Sequence, residues 1–245
     1  MIPTGGGKTL TACWWLLNGA LNNKKKVLWL AHRQLLLEQA AKTFELNAYA
    51  DVMTNRWGFN YRIISGTHQS TQMIERTDNL LIVSKDSLAK RVKSLDCWLK
   101  GEKELYIIVD EAHHASAPTY EKILNHLQTK VPNIKLLGLT ATPFRSDARH
   151  LSEVFPDDIA YKIDLTDLIK RGILSLPHFE ECQTDLVLEL TKEEQKKLEL
   201  EDWIPSDIAI KMAKHKLRNA MIVRKYDYKK SMDKPLFLLL IESMP

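Results

Sequence analysis

The chain has 245 residues, of which 44% are hydrophobic and 27% charged, and its formal net charge is +4 at pH 7. This composition is ordinary for a globular protein, so it excludes a largely disordered chain, and the length allows one large or two small domains. No apolar run approaches the roughly 18 to 20 residues that a membrane-spanning helix needs, so we expect no membrane partner. The three cysteines form no CxxC pair, which favours reduced thiols and a cytoplasmic location over disulfides or a zinc site.

Short, continuously apolar segments alternate along the chain with segments of helical spacing. The apolar segments are rich in Val, Ile and Leu, which is typical of strands that a parallel sheet buries on both faces. Alternation of such strands with helices predicts an α/β fold with an open, mainly parallel sheet and flanking helices. The predicted strands cover residues 27–30, 80–83, 105–109 and 134–139, and the predicted helices cover 9–20, 33–44, 87–99 and 119–128.

The sequence becomes more polar after about residue 149, which divides the chain into three predicted parts. These parts are an α/β domain over 1–150, connecting strands and helices over 151–230, and the start of an incomplete second domain over 231–245. The middle part contains polar strand-like segments and solvated helical segments at 161–168, 178–190, 191–201 and 206–226. The last part holds one buried-type strand, 236–241, with no helix after it to cover it.

A glycine-rich turn precedes the first predicted helix. Residues 3–9 read Pro-Thr-Gly-Gly-Gly-Lys-Thr and end in the Gly-Lys-Thr of a phosphate loop. Glycines let backbone N–H groups converge on a phosphate, and the start of a helix adds partial positive charge. Lys8 would reach the β- and γ-phosphates and the Thr9 hydroxyl would ligate Mg²⁺. Taken alone, the motif also fits a flexible glycine-rich start. The residues predicted to bind ATP are Thr4, Gly5, Gly6, Gly7, Lys8 and Thr9.

Two adjacent carboxylates end the third predicted strand. Asp110 and Glu111 follow residues 105–109 at the carboxyl end of a buried strand, where ligands of open α/β sheets bind. We expect Asp110 to hold Mg²⁺ and Glu111 to orient and deprotonate the attacking water. The predicted catalytic residues are therefore Lys8, Asp110 and Glu111, and the predicted metal ligands are Thr9 and Asp110. The alternative is a strand that simply ends in a charged turn.

Polar residues follow this acidic pair and the next predicted strand. His113 and His114 suggest metal ligands, but adjacent side chains point in different directions and the sequence offers no third ligand nearby. A hydrogen bond of His113 beside the γ-phosphate fits better. Thr140 and Thr142 follow a buried strand, so their hydroxyls are expected at the same sheet edge as Asp110. A capped turn is the alternative interpretation of these two threonines.

Two other groups of residues are expected to have structural rather than functional roles. Trp14 and Trp15 lie in the first predicted helix and are expected in the core. The basic run 24–26 precedes a strand at the opposite edge of the sheet, so it is expected to form a solvated turn.

Three motifs, in this order, resemble motifs I, II and III of superfamily 2 helicases and translocases. They are Pro-Thr-Gly-Gly-Gly-Lys-Thr at 3–9, Asp-Glu-Ala-His at 110–113 and Gly-Leu-Thr-Ala-Thr-Pro at 138–143. The variety most resembled is the DEAD/DEAH group that includes the motor subunits of type I and type III restriction enzymes. Segments 30–35 and 82–88 resemble two further motifs that touch the nucleic-acid backbone in that family.

This resemblance implies an ATP-dependent motor of two RecA-like domains, with ATP and Mg²⁺ in the cleft between them and nucleic acid across their top. His113, Thr140 and Thr142 would then couple the nucleotide state to domain movement. DNA is expected in preference to RNA by resemblance alone, through contacts with the backbone that do not read sequence. The residues expected to contact nucleic acid are His32, Arg33, Ser84, Lys85 and Arg145.

The chain departs from the family pattern at both ends. Ile2 stands where the phosphate loop usually has its first glycine, and the family's first strand would precede Pro3. The arginine motifs of a second RecA-like domain are missing, and an arginine finger contributes about 10³- to 10⁵-fold in turnover. We therefore expect a fragment of low activity, whose second domain another chain could supply. The alternatives are an inactive nucleotide- or nucleic-acid-binding fragment and, more weakly, a metabolic phosphate-loop kinase.

Overall fold

The computed structural model describes two compact units, Met1–Leu176 and Pro177–Pro245. Within the described part of the chain, no helix is both long and apolar enough to cross a membrane. The described residues are 1–49, 51–55, 58–115, 118–141, 154–155, 159–176, 190–195, 206–214 and 216–230.

The first unit is built around five parallel strands: β1 (Lys26–Ala31), β2 (Tyr61–Ile64), β3 (Leu80–Ser84), β4 (Glu104–Asp110) and β5 (Asn133–Leu139). They lie in the order β2-β3-β1-β4-β5, and every neighbouring pair runs parallel. All six residues of the central strand β1 are buried, because strands flank it on both sides and helices cover both faces. The structure confirms the predicted α/β class, with the parallel sheet of a RecA-like domain.

The edge strand β2 is absent from the predicted strands. It has four residues, of which Ile64 is fully buried while Tyr61 is exposed. The strand is short and includes Tyr61 and Arg62, so its sequence lacks the continuous apolar run that marks the other four.

Helices cover the two faces of the sheet. Residues of the first two helices pack with one core cluster, and residues of the next three pack with the other. The single helix predicted over 87–99 is wrong: the chain leaves helical geometry at Arg91 (φ −140°, ψ 43°) and forms a 3-10 turn, Val92–Leu95, between two short helices. The five helices are α1 (Lys8–Gly19), α2 (Gln34–Asn47), α3 (Lys85–Lys90), α4 (Asp96–Leu99) and α5 (Pro118–Lys130).

The strand predicted over 161–168 is also wrong. Residues 161–164 have no regular structure and the helix α6 (Leu165–Lys170) follows. Residues 161–163 make two hydrogen bonds with the first residue. Met1 O accepts from Ile163 N at 3.1 Å, and the Met1 ammonium donates to Tyr161 O. The segment from 161 onwards therefore lies against the beginning of the chain.

The described part of the second unit is helical. The helix predicted over 206–226 is two helices, α7 (Ser206–Ala213) and α8 (Lys216–Lys230). Of the helix predicted over 191–201, residues 192–195 form a helical turn, where Glu194 Oε2 accepts from both Thr191 N and Thr191 Oγ1. Residues 178–189 and 236–241, which we predicted to be strands, lie outside the described residues.

Trp14 and Trp15 are not core residues, because their exposed fractions are 40% and 39%. Both lie on the outward side of α1. The Trp14 indole N–H donates to Asn47 Oδ1 at 3.0 Å and its ring packs edge-on against Tyr49, while Trp15 packs against Tyr106. Helical position alone did not distinguish these half-covered rings from core residues.

Lys26 is not part of a solvated turn either. Its side chain is 6% exposed, its ammonium donates to Arg76 O at 2.9 Å and to Trp98 O, and it lies 3.4 Å from Glu102 Oε1. Burial lowers the pKa of Lys26, and the charge of Glu102 opposes that fall. Lys26 thus anchors the start of β1 to two distant segments of the chain.

We expect Lys26→Met to lower the free energy of unfolding by about 1–3 kcal/mol, because buried acceptors lose their donor. Urea unfolding measures this change. The matched control is Lys25→Met: Lys25 is 43% exposed and pairs with Glu104 at 3.3 Å, and such a pair is worth at most about 1 kcal/mol. Equal losses in the two variants would contradict the anchoring role.

Candidate active site

Polar residues follow the carboxyl ends of all five strands. Because the five strands are parallel, their carboxyl ends lie side by side. In sheet order, the residues that follow the strands are Ser65, Lys85, His32, Glu111 and Thr140.

The glycine turn, residues 4–7, leads directly into α1. Gly5 and Gly7 have φ of 82° and 88°, a left-handed conformation that glycine adopts without strain, and Gly6 N donates to Pro3 O at 3.0 Å. Gly7 is the residue before the helix and has no side chain with which to cap it. The N–H groups at the start of α1 therefore suit an anionic ligand.

The first two residues fix the position of this turn beside the sheet. Ile2 N donates to Thr140 O at 3.2 Å, just beyond β5, while Met1 O accepts from Ile163 N on the other side. Met1 and Ile2 thus lie between the end of β5 and the segment before α6. This position brings the glycine turn next to the ends of β4 and β5.

Asp110 is buried at the end of β4, with 3% of its surface exposed, and Asp110 Oδ1 accepts from Glu111 N at 3.0 Å. Burial, and to a lesser extent the negative charge of Glu111, raise the pKa of Asp110 to about 6. The Lys8 ammonium lowers it, so Lys8 and Asp110 are within electrostatic reach of each other. The structure therefore brings the glycine turn and the acidic pair together.

Trp29, on β1, is a site residue that sequence reasoning did not identify. Its buried Nε1 is close enough to Asp110 to lower the pKa of that carboxyl, but it makes no hydrogen bond of standard geometry. Its position in an apolar strand gave no sign of this contact.

Glu111 has the left-handed backbone conformation φ 51°, ψ 56°. This conformation costs a non-glycine residue on the order of 1–3 kcal/mol and tends to occur at functional sites. Glu111 Oε2 lies 3.4 Å from His113 Nδ1. The turn thus directs the second carboxylate towards His113.

His113 joins the ends of two strands. His113 Nδ1 lies 3.0 Å from the Thr140 hydroxyl, and Thr140 is 5% exposed. The structure therefore brings together Glu111, His113 and Thr140. Thr142 and the His114 side chain lie outside the described residues.

Gly138 on β5 allows the acidic turn to approach closely. A Cβ atom at this position would lie 2.8 Å from Ala112 Cβ and 2.8 Å from Phe155 Cζ, closer than such atoms approach. A larger residue would therefore push β5 away from the turn after Asp110.

These residues fit Mg²⁺ and a nucleoside triphosphate. The site combines an uncapped helix start, the cation of Lys8 and a buried carboxylate, which is the ligand type that Mg²⁺ prefers. In the described ranges no group of three or more His, Cys, Asp or Glu side chains could hold a metal ion. A single buried carboxylate suits Mg²⁺, which keeps several waters and takes further ligands from substrate phosphates.

The residues expected to contact nucleic acid lie at the ends of two neighbouring strands. His32 and Arg33 follow β1, Ser84 ends β3, and Ala31 and Ser84 are partners in the parallel register. Arg33 is exposed, His32 and Ser84 are half-buried, and Lys85 Nζ lies 5.4 Å from the centre of the Tyr120 ring. Arg145 lies outside the described residues.

The loop after β2 brings another polar cluster to this edge. His68 Nδ1 lies 2.6 Å from Ser65 Oγ, and His68 Nε2 lies 3.4 Å from Glu38 Oε1. Sequence reasoning did not single out these residues, because the strand before them was not predicted. Had residues 61–64 been predicted as a strand, Ser65 would have been expected beside the carboxyl ends of the other strands.

The raised pKa of Asp110 predicts a pH-dependent stability. The folded state binds the proton of Asp110 more tightly than the unfolded chain does. The stability that this gives is complete below the unfolded pKa of about 3.9 and is lost as pH rises through the folded pKa of about 6. Asparagine stays neutral, so we expect Asp110→Asn to be about 2–3 kcal/mol more stable than the natural chain at pH 8, with the gain fading by pH 4. Urea unfolding from pH 4 to 8, without nucleotide or Mg²⁺, measures this. The exposed Asp51→Asn is the control, and an equal Asp110→Asn gain at every pH would disprove the expectation.

Comparison with known proteins gives three relatives that carry helicase names. A candidate mitochondrial ATP-dependent helicase, irc3, of Schizosaccharomyces pombe is 37% identical over 86 residues, which cover 34% of this chain and 14% of that protein. The candidate ATP-dependent helicase IRC3 of Saccharomyces cerevisiae is 29% identical over 181 residues, covering 69% and 23%. The candidate helicase 22 of Sulfolobus islandicus filamentous virus is 27% identical over 176 residues, covering 70% and 29%. The chain therefore spans less than a third of each relative.

Among solved structures, a nuclease-deletion mutant of the type ISP restriction-modification enzyme LlaGI, in complex with a DNA substrate mimic, has 19% identity and a TM-score of 0.40. The match covers 58% of this chain and 13% of that chain. Residues 1–145 match the family model described as the type III restriction enzyme, res subunit. Since that match covers more than half of the chain, the chain belongs to the type III restriction enzyme res-subunit family of superfamily 2 helicases.

Proposed function

We propose that the chain carries the ATP-binding and ATP-hydrolysing domain of a DNA-directed helicase or translocase. One observation carries this proposal: Lys8, from the glycine turn, lies within electrostatic reach of the buried Asp110. The family supports ATP use, because two relatives are named ATP-dependent helicases.

Each residue of the site then has a distinct role. The N–H groups of residues 4–9 and the Lys8 ammonium bind the phosphates. Thr9 and Asp110 would hold Mg²⁺, which would supply positive charge that neutralises the phosphates. Glu111 orients the attacking water and accepts its proton. The conformation of Glu111 supports this role, since the left-handed turn directs its carboxylate away from the path of the strand.

The contact between His113 and Thr140 supports a coupling role for these two residues. His113 Nδ1 lies 3.4 Å from Glu111 Oε2 and 3.0 Å from Thr140 Oγ1. A movement of the Glu111 side chain would therefore be transmitted through His113 to the residue that follows β5. We place Thr142 in the same role by its position in the motif.

The proposed nucleic-acid contacts lie at the ends of β1 and β3. An exposed arginine and a lysine at adjacent strand ends suit phosphates, and we see no element among the described residues that would read bases. DNA as the preferred nucleic acid rests on resemblance alone. The proposed contact residues are His32, Arg33, Ser84, Lys85 and Arg145.

The complete motor is larger than this chain in our proposal. A second RecA-like domain, beginning in residues 231–245 or supplied by another chain, would provide an arginine for the γ-phosphate. Turnover by the chain alone is therefore expected to be low. A cytoplasmic location stays a prediction, and the fission yeast relative is named as mitochondrial.

Lys8→Ala is expected to weaken binding of ATP and abolish hydrolysis, whereas Glu111→Gln keeps binding and lowers turnover about 10²- to 10⁴-fold, because only the proton acceptor is lost. Phosphate release with and without DNA, together with binding of a fluorescent nucleotide, measures both effects. Lys42→Ala, an exposed lysine of α2, is the control. Hydrolysis by Lys8→Ala at the natural rate would refute the site. Nucleotide binding without any turnover by the natural chain would favour an inactive binding fragment.

Arg33→Ala and Lys85→Ala are expected to weaken DNA binding equally across sequences and to reduce the salt dependence, log K against log salt, by about one each. Fluorescence anisotropy at several salt concentrations, with single-stranded and duplex DNA, measures this. Lys25→Ala is the control, because Lys25 lies at the opposite edge of the sheet. The assignment fails if Lys25→Ala weakens binding as much as the other two variants.

A further inference from the structure

A segment far from the glycine turn in sequence packs directly against it. A Cβ atom at Gly6 would lie 2.8 Å from Leu168 Cδ1, and one at Gly5 would lie 2.9 Å from Leu174 Cδ2. Both distances are shorter than normal Cβ contacts, so the two leucines touch the glycine backbone itself. Leu168 is 2% exposed and Leu174 is half-buried.

The local fold explains why these two leucines lie together. α6 ends before Gly172, which has a left-handed φ of 70°. The N–H groups of Ile173 and Leu174 then both donate to Leu168 O, at 3.0 and 3.2 Å. This helix ending folds Leu174 back beside Leu168. The start of the same segment is fixed to the chain's beginning through Ile163 and Met1.

The glycine turn needs such support, because glycine loses more conformational freedom on folding than any other residue. Residues 5–7 are three glycines in a row. Side chains that pack on the turn restrict its conformations before a ligand arrives, which lowers the entropic cost of binding.

We propose that Leu168 and Leu174 are positioning residues for nucleotide binding. They hold the glycine turn in the shape in which its N–H groups converge on a phosphate, so the inference rests on the proposed nucleotide site. Both side chains are apolar and add no charge near Asp110 or Glu111. Their loss should therefore weaken nucleotide binding and leave the rate of the chemical step at saturating ATP nearly unchanged.

Leu168→Ala and Leu174→Ala test this in the full chain by two measurements. Without nucleotide, hydrogen exchange of the Gly6 amide, which donates to Pro3 O, should become roughly tenfold faster. With Mg²⁺ present, the affinity for fluorescent ADP should fall about tenfold, while kcat changes less than about twofold. Leu127→Ala is the matched control: Leu127 is fully buried in the core on the other face, so its loss costs stability without touching the turn.

The conservative substitution Leu168→Met should keep the exchange rate and the affinity of the natural chain. If Leu168→Ala does not fold, Leu174→Ala and Leu168→Met together provide the test. Unchanged exchange of the Gly6 amide, or a loss of affinity no larger than that of Leu127→Ala, overturns the proposal. If the natural chain binds no nucleotide but Leu168→Ala still accelerates exchange of the Gly6 amide, the proposed function fails while the support of the turn stands.

Discussion

The site is built around the buried carboxylate of Asp110 at the end of β4, whose pKa is raised by burial and lowered by the charge of Lys8. A carboxylate that is 3% exposed and adjacent to a second carboxylate is costly to ionise, which the raised pKa of Asp110 expresses. The positive charge of Lys8 reduces that cost. A backbone hydrogen bond from Ile2 N to Thr140 O joins the residues just before the glycine turn to the end of β5. Main-chain contacts therefore help to position the glycine turn at this end of the sheet.

A second cost lies next to the first. Glu111 adopts a left-handed conformation, and the surrounding structure must offset the strain. The buried strand before it and the close packing of Ala112 against Gly138 leave the turn little freedom to relax. Buried charge and backbone strain in consecutive residues indicate a place where the fold gives up stability for chemistry, as functional sites do.

The sequence predicts the centre of the fold better than its periphery. β1, β3 and β4 are apolar because strands lie on both sides of them and helices cover their faces, so composition alone identifies them. Of the two outer strands, β5 keeps a long apolar run, whereas the four-residue β2 includes Tyr61 and Arg62 and lacks that signal. The burial of Lys26 and the packing of Leu168 on Gly6 join residues far apart in the chain, and local pattern carries no information about such contacts. Asp110 and Glu111 were identifiable because phosphate chemistry restricts both residue type and position.

The order of the strands divides the carboxyl-end edge of the sheet into two chemically different halves. β2, β3 and β1 end in hydroxyl, imidazole and basic groups, whereas β4 and β5 end in the carboxylates and Thr140, beside the glycine turn. Neighbouring strands lie about 4.8 Å apart, and continuous hydrogen bonding makes such a sheet rigid. A sheet of this kind can hold two ligands at fixed separation but does not itself move between states. In the proposed motor, movement driven by a nucleotide would therefore arise in the loops that follow the strands, or in a domain that closes over them.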